Sequence, residues 1–233
     1  MVTVIIAAKD SERWIKETFS SLLSQTFEDW ECIVSVNGSS DRTEMIAKNI
    51  TDRRFSLVTS EIPNKSLAVN RALVKSSRDW ICILDSDDIW DARKLEKQLA
   101  FSKTSKADVI GTQFSYINVD TSDSDIQAPK LPADHENCVM WLNQRSNPIA
   151  NSSVMYKKEL HDVVGYYDPE KFAIEDYDMW MRSKRAGAKF SNLNEILMKH
   201  RLHPSSHFNS SRRQQIYKSM VDEIDRFMIG SKE

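Results

Sequence analysis

Trp80, Ile81, Cys82, Ile83 and Leu84 form an apolar run that stops abruptly at Asp85, Asp87 and Asp88, three carboxylates within four positions. The run shows no alternation of apolar and polar residues, so as a strand it must be covered on both faces, as strands are in a parallel sheet sandwiched by helices. Its carboxyl end then carries the acids. In open α/β sheets ligands collect beyond the carboxyl ends of strands, and carboxylates so crowded repel one another unless a cation compensates. The residues alone therefore point to a divalent-metal site that serves a nucleotide. Acids that merely cap and solvate a turn are the competing reading.

The surrounding pattern agrees with such a sheet. Val2–Ala8 reads as an opening strand, and Ile15, Phe19, Leu22 and Leu23 follow with the spacing of a helix stripe. A second strand is expected over residues 31–36, then a turn at Asn37, Gly38, Ser39 and Ser40. Asp41 and Glu44 have capping-box-like spacing before a helix carrying Met45, Ile46 and Ile50. A third strand over residues 55–59 and a helix over 66–76 precede the acidic strand, and Ala92, Leu95 and Leu99 mark the helix after it. This β-α-β-α alternation predicts a parallel, doubly wound sheet over the first 110 residues. Further on, strands are expected over residues 108–119, 152–156 and 193–201, with a helix over 176–186 stopped by Gly187. Residues 120–135, with two prolines and four acids, read as a mobile loop, and Ile216, Met220, Ile224 and Phe227 give a last helix its buried stripe.

With 233 residues, 40% hydrophobic and 28% charged, the chain suits one large domain. A net charge of −2 gives no basic field for nucleic acid. Residues 196–221 nevertheless lack any acid and hold Lys199, Arg201, Arg212, Arg213, Lys218, His200, His203 and His207, a segment suited to phosphate, to peripheral contact with a membrane, or simply to solvent. Cys32, Cys82 and Cys138 are read as reduced core residues. No apolar run approaches the ~20 residues a spanning helix needs, and the expected location is cytoplasmic.

The order of short motifs resembles the family 2 glycosyltransferases of the GT-A fold. The resemblance rests on Val2–Ala8, Ser21-Leu22-Leu23-Ser24-Gln25-Thr26-Phe27, Gly38-Ser39-Ser40-Asp41, Asn70-Arg71, Leu84-Asp85-Ser86-Asp87-Asp88-Ile89-Trp90, Lys94-Leu95-Glu96, Val164-Gly165-Tyr166-Tyr167-Asp168, Glu175-Asp176-Tyr177-Asp178-Met179-Trp180 and Arg201-Leu202-His203. It implies an α/β fold with a mostly parallel central sheet and flanking helices, one domain over residues 1–233 in which 1–110 are the nucleotide-binding half and 111–233 the acceptor-binding half with a C-terminal helix. It also implies an inverting transferase that moves a sugar from a nucleotide-sugar, a UDP-sugar first of all, to a hydroxyl of a glycan, lipid-linked or protein-linked acceptor during polysaccharide biosynthesis. A departing diphosphate accumulates charge that Mn2+ or Mg2+ neutralises, and hard oxygen ligands suit either ion.

By this resemblance Asp87 is the metal ligand, Asp85 faces the ribose or the metal shell, and His203 lies near the diphosphate or metal. Asp88 is expected to cap the following helix. Ala7, Lys9, Asn37, Lys65, Asp85 and Ser86 are the donor-binding candidates. Asn37 stands where the family usually has an aspartate on the base, Val36 replaces another frequent Asp, and Ala7 and Lys9 stand in place of Pro and Tyr. Lys65 flanks base or phosphate, or is a plain exposed lysine. Asp176 is the expected general base, the competing reading being an acid stabilised at a helix N-terminus. Glu175 and Trp180 are placed at the acceptor, Trp180 alternatively in the core, and Asn151 and Ser152 open the strand approaching that side. Two further readings are a catalytically inactive nucleotide-sugar or glycan-binding module, and a sugar-nucleotide pyrophosphorylase. The glycine-free segment Ala7-Ala8-Lys9-Asp10-Ser11 speaks against the latter.

Overall fold

The computed structural model describes residues 1–118, 126–171 and 173–203. Four strands form the first half of the sheet: β1 (Val2–Ala8), β2 (Trp30–Asn37), β3 (Phe55–Ser60) and β4 (Trp80–Ile83). They lie in the order β3-β2-β1-β4, all parallel. Both faces of the central pair are covered, as the unbroken apolar runs require. Ile5, Ile81 and Ile83 enter one core, while Val4, Ile6, Cys82 and Leu84 enter the other. Three helices connect these strands: α1 (Ile15–Leu23), α2 (Thr43–Lys48) and α3 (Lys65–Lys75).

In the second half the sheet becomes mixed. Past β4 come β5 (Ile89–Trp90), α4 (Lys94–Ser105), β6 (Val109–Asn118), β7 (Ile126–Gln127), α5 (His135–Asn143), a single 3-10 turn (Asn151–Ser153), β8 (Met155–Lys157), α6 (Leu160–Val164), α7 (Glu175–Arg185) and β9 (Phe190–Leu202). The order continues β4-β8-β6-β9-β5, with β8 antiparallel to both β4 and β6, β9 parallel to β6 and antiparallel to β5, and β7 paired to β6 alone. The expected α/β architecture with a largely parallel centre is thus present.

Several local expectations give way. Leu23 is 43% exposed, because it stands ~100° round the helix from Leu22 and only one of the two can face the sheet. Met45 is exposed likewise. Asp41 makes no capping box: its Oδ1 accepts the Thr43 N–H (2.9 Å) and its Oδ2 the Glu12 N–H (2.9 Å), tying two loops together, while Glu44 pairs with Lys48. Within the stretch read as a loop, β7 pairs with β6, and Asp134 Oδ1 accepts the Asn137 N–H (2.9 Å) to start α5 at His135. Cys138 and Leu142, four apart and fully buried, form its apolar stripe. Ser152 belongs to the 3-10 turn and the strand begins at Met155. The stripe at Ile216, Met220, Ile224 and Phe227 lies outside the described residues, as does most of the basic segment.

One close approach shapes the second half. A Cβ on Gly111 would fall 1.9 Å from Asn192 Oδ1, so only glycine lets β6 and β9 meet there. Asn192 Nδ2 in turn donates to Pro132 O (2.6 Å) and Pro148 O (3.0 Å), pinning the segments that lead into α5 and the 3-10 turn. All three cysteines are free and buried. Among the described residues no helix is long and apolar enough to cross a membrane.

Candidate active site

Parallel pairing delivers the ends of β1, β2 and β4 to one edge of the sheet, with Ala7 opposite Ser35 and Ala8 opposite Val36. The loops that follow are stitched together. Ser86 and Ser11 share a 2.6 Å hydrogen bond, and Asp10 Oδ1 accepts from Ser40 N (2.7 Å) and Ser40 Oγ (3.0 Å). Asn37 is buried at the end of β2, where Gly38 turns the chain with φ of 67°. Lys9 is exposed and paired with Asp10 at 3.0 Å.

The three adjacent acids after β4 part company. Asp85 turns toward α3: its Oδ1 lies 2.7 Å from Lys65 Nζ, and the Asn151 amide donates to both its oxygens (3.1 and 3.2 Å). Its backbone N–H donates to Ser152 Oγ (2.8 Å). Burial opposes ionisation here, but Lys65 and Asn151 outweigh it and hold the carboxyl below its ordinary range. Asp87 Oδ2 lies 2.8 Å from His203 Nε2, and its backbone carbonyl accepts from Arg201 Nε (2.9 Å). Arg201 pairs with Glu17 and its guanidinium lies 4.7 Å from the ring of Trp14, against which His203 also packs.

Asp88 corrects the expectation of a helix cap. It is 0% exposed, accepts the Arg201 N–H (3.0 Å) and sits 3.2 Å from His200 Nδ1. Burial works against the charged imidazole, yet Asp88 prevails and raises His200 to about 9. The cap-like contact before α4 comes instead from Asp91, whose Oδ1 accepts the Arg93 N–H.

Lys65 is the junction of the site. It is the first residue of α3, which Asn64 caps by accepting the Leu67 N–H (2.9 Å). Far from being a plain exposed lysine, it is half-buried, and its Nζ reaches Glu175 Oε1 (3.5 Å) as well as Asp85. Burial disfavours the ammonium, but the carboxylates overcome this and raise its pKa. Lys65 therefore joins residues 85 and 175 in one group of charges.

Glu175 and Asp176 stand at the start of α7, held by Tyr177, Trp180 and Met181 in the core. Asp176 Oδ2 accepts from Asn147 Nδ2 (2.7 Å) and Oδ1 from Tyr177 N (2.8 Å). Burial and, second, the Glu175 charge push its carboxyl up to about 7, against the pull of Lys65 and these two donors. That is the range in which a carboxylate can take a proton near neutral pH. Trp180 is 0% exposed and meets Tyr156 edge-on. It supports α7 from within and offers no face to an acceptor, which corrects its placement there.

Asn147 and the Asn70 side chain went unnoticed in the sequence as parts of the site. Asn70 donates to Tyr167 O (2.7 Å) and accepts from Tyr167 N (3.0 Å), fixing the segment that leads to α7. The only sequence signal for Asn147 was its turn-forming place before Pro148.

As for a divalent ion, no group of three candidate ligands is preassembled among the described residues. Asp87 Oδ2 and His203 Nε2 are 2.8 Å apart, close to the ~2.9 Å between neighbouring positions of an octahedron with 2.0–2.1 Å bonds. This pair fits two sites of such an ion, with water and phosphate oxygens left to complete it.

A family model described as "Glycosyl transferase family 2" matches residues 3–165. Over 217 residues the chain is 31% identical to the Escherichia coli O-antigen biosynthesis glycosyltransferase WbnJ, covering 88% of this chain and 81% of that protein. In fold it is similar to S. aureus TarS residues 1–349, solved with UDP-GlcNAc, at a TM-score of 0.73 and 21% identity over 90% of this chain. A second similar structure is the mannosyltransferase PcManGT of Pyrobaculum calidifontis with GDP-Man and Mn2+, at a TM-score of 0.66 and 16% identity over 88% of this chain. The chain spans 61% and 58% of those two solved chains.

Proposed function

The chain belongs to glycosyl transferase family 2, and on that footing we propose that it transfers a glycosyl group from a UDP-sugar to a hydroxyl of a growing glycan, with inversion at the anomeric carbon. The observation that carries the reading is Lys65 Nζ lying between Asp85 (2.7 Å) and Glu175 (3.5 Å), which brings the two acidic segments to one ammonium. The donor would lie along the loops after β1, β2 and β4, with Asn37 offering its amide to the base and Lys9, Ser86 and Asp85 lining the path to the sugar. Asp176 takes the proton from the acceptor hydroxyl as its oxygen attacks the anomeric carbon, and the bond to the diphosphate breaks on the opposite side. Asn147 and the Tyr177 N–H hold both carboxylate oxygens in place for that transfer, and Glu175 borders the acceptor. Asp87 and His203 would hold Mn2+ or Mg2+, which when bound neutralises charge gathering on the leaving diphosphate.

WbnJ's role in O-antigen biosynthesis supports a polysaccharide acceptor, and TarS, solved with UDP-GlcNAc, supports uridine in the donor. The test is release of the free nucleotide, UDP, GDP or dTDP from their diphosphate sugars and CMP from a CMP-linked sugar, with Mn2+ and a glycan acceptor. UDP release that depends on acceptor is the expected result. Tight sugar-nucleotide binding with no release from any donor would leave a binding module in its place.

A further inference from the structure

We infer that Lys94, Gln98 and Trp90 form a buried positioning device that sets the Asn151–Ser153 turn, and through it Asp85, for donor binding; this rests on the donor reading above. Lys94 is 0% exposed on α4, with no ion pair to a carboxylate among the described residues. Its Nζ donates to Gln98 Oε1 (2.7 Å) and lies 3.9 Å from the ring centre of Trp90. An ammonium in such surroundings is costly, and burial lowers it to about 8. A helix that only needed to pack on the sheet would do better with an apolar side chain at this position.

What the cation accomplishes is orientation. An ammonium is only a donor, so it obliges Gln98 to present its carbonyl oxygen. Both amide hydrogens of Gln98 then face the other way, to Ile110 O (2.9 Å) and Ser153 O (3.0 Å). Trp90, held under the same ammonium, donates its indole N–H to Ser152 O (2.6 Å). A lone 3-10 turn has few internal hydrogen bonds, and these two donors occupy consecutive carbonyls of this one. On its other side the turn holds Asp85, through the Asn151 amide on both carboxylate oxygens and through Ser152 Oγ on the backbone N–H. The chain of contacts therefore runs from a lysine that never meets solvent to a carboxylate at the cleft, and it gives the Lys94-Leu95-Glu96 motif a physical purpose.

Lys94→Met and Trp90→Phe test this, with UDP plus Mn2+ as the probe in calorimetry and thermal unfolding measured alongside. The methionine keeps the volume and removes the donor; the phenylalanine keeps a smaller aromatic ring and removes the indole N–H. Both variants are expected to bind UDP about ten- to a hundredfold more weakly, the usual effect of losing a group that orients a ligand-holding side chain. Lys94→Met should do so without a fall in melting temperature. Leu142→Ala, which opens a cavity in the other core cluster, is the control, losing stability while keeping UDP affinity. Wild-type affinity in Lys94→Met and Trp90→Phe, or an equal loss in Leu142→Ala, overturns the inference. If Lys94→Met yields no folded protein, Trp90→Phe decides alone. Wild-type protein that binds no UDP sinks the donor reading and this inference with it, whereas wild-type binding that both variants retain sinks the inference only.

Discussion

Asp176→Asn is expected to stabilise the protein while removing transfer. The carboxyl rises from an ordinary 3.8 to about 7, through burial first and Glu175 second. At ~1.4 kcal/mol per pH unit, holding it ionised at pH 8 costs the folded state ~4 kcal/mol. Asparagine carries no charge and escapes this cost. Its single carbonyl can accept from Asn147 or from Tyr177 N–H but not from both as the carboxylate does, and one lost hydrogen bond returns ~1 kcal/mol. A net gain of ~2–3 kcal/mol corresponds to roughly 5–10 °C in melting temperature for a chain of this size. The sign depends on pH in a defined way. A raised carboxyl favours the folded state below about pH 4 and loses that advantage as pH rises through 7, so the gain from asparagine is large at pH 8 and nearly gone at pH 4. Transfer, meanwhile, should fall by about 10²–10⁴, the usual contribution of a general base. Thermal unfolding of both proteins at pH 4 and pH 8, with UDP release measured on the same samples, checks all of this. A stability difference that ignores pH, or transfer at the wild-type rate, would refute the reasoning.

Lys65→Met removes one of the influences that hold Asp176 down, so the acidic limb of the kcat/KM profile, expected near pH 7, should move upward by ~1 unit or more; a limb that stays in place contradicts the bridge through Lys65. Gly111→Ala sets a Cβ against Asn192 Oδ1 and displaces the amide that pins Pro132 and Pro148, with an expected loss of ~1–3 kcal/mol read as a lower urea midpoint at unchanged slope.

The parts of the fold that were legible are those whose sequence pattern is set by what covers them. Ile5, Ile81 and Ile83 alternate with Val4, Ile6, Cys82 and Leu84 between two cores, and only a strand buried on both sides is apolar at every position. Helix α7 was legible for a related reason, since Tyr177, Trp180 and Met181 recur with helical spacing and Gly187, at φ of 85°, closes the end. Helix α5 was not. Its apolar stripe is little more than Cys138 and Leu142, and the prolines and acids before it masked the Asp134 cap. The turn at Asn151–Ser153 was read as strand because, beyond its own short bonds to Ala150 and Asn151, the donors to the Ser152 and Ser153 carbonyls are Trp90 and Gln98, residues far off in the chain.

The same distinction governs the site. Asp85, Asp87 and Asp88 could be placed at a strand's end, but such crowding calls for a metal only where the three face one another in a shared space. In the fold each finds its own partner: Lys65 for Asp85, His203 for Asp87, and His200 for Asp88. Mutual repulsion within the triplet is thus answered by protein groups contributed from α3 and from the end of β9, and crowding alone does not demand an ion. On the proposed reading the demand would come from the donor, whose diphosphate would bring negative charge to a site where Asp85 and Glu175 already share Lys65 and Asp176 stands beside Glu175. An ion held by both Asp87 and His203 would replace the 2.8 Å contact between them, so metal and diphosphate are expected to bind more tightly together than either does alone.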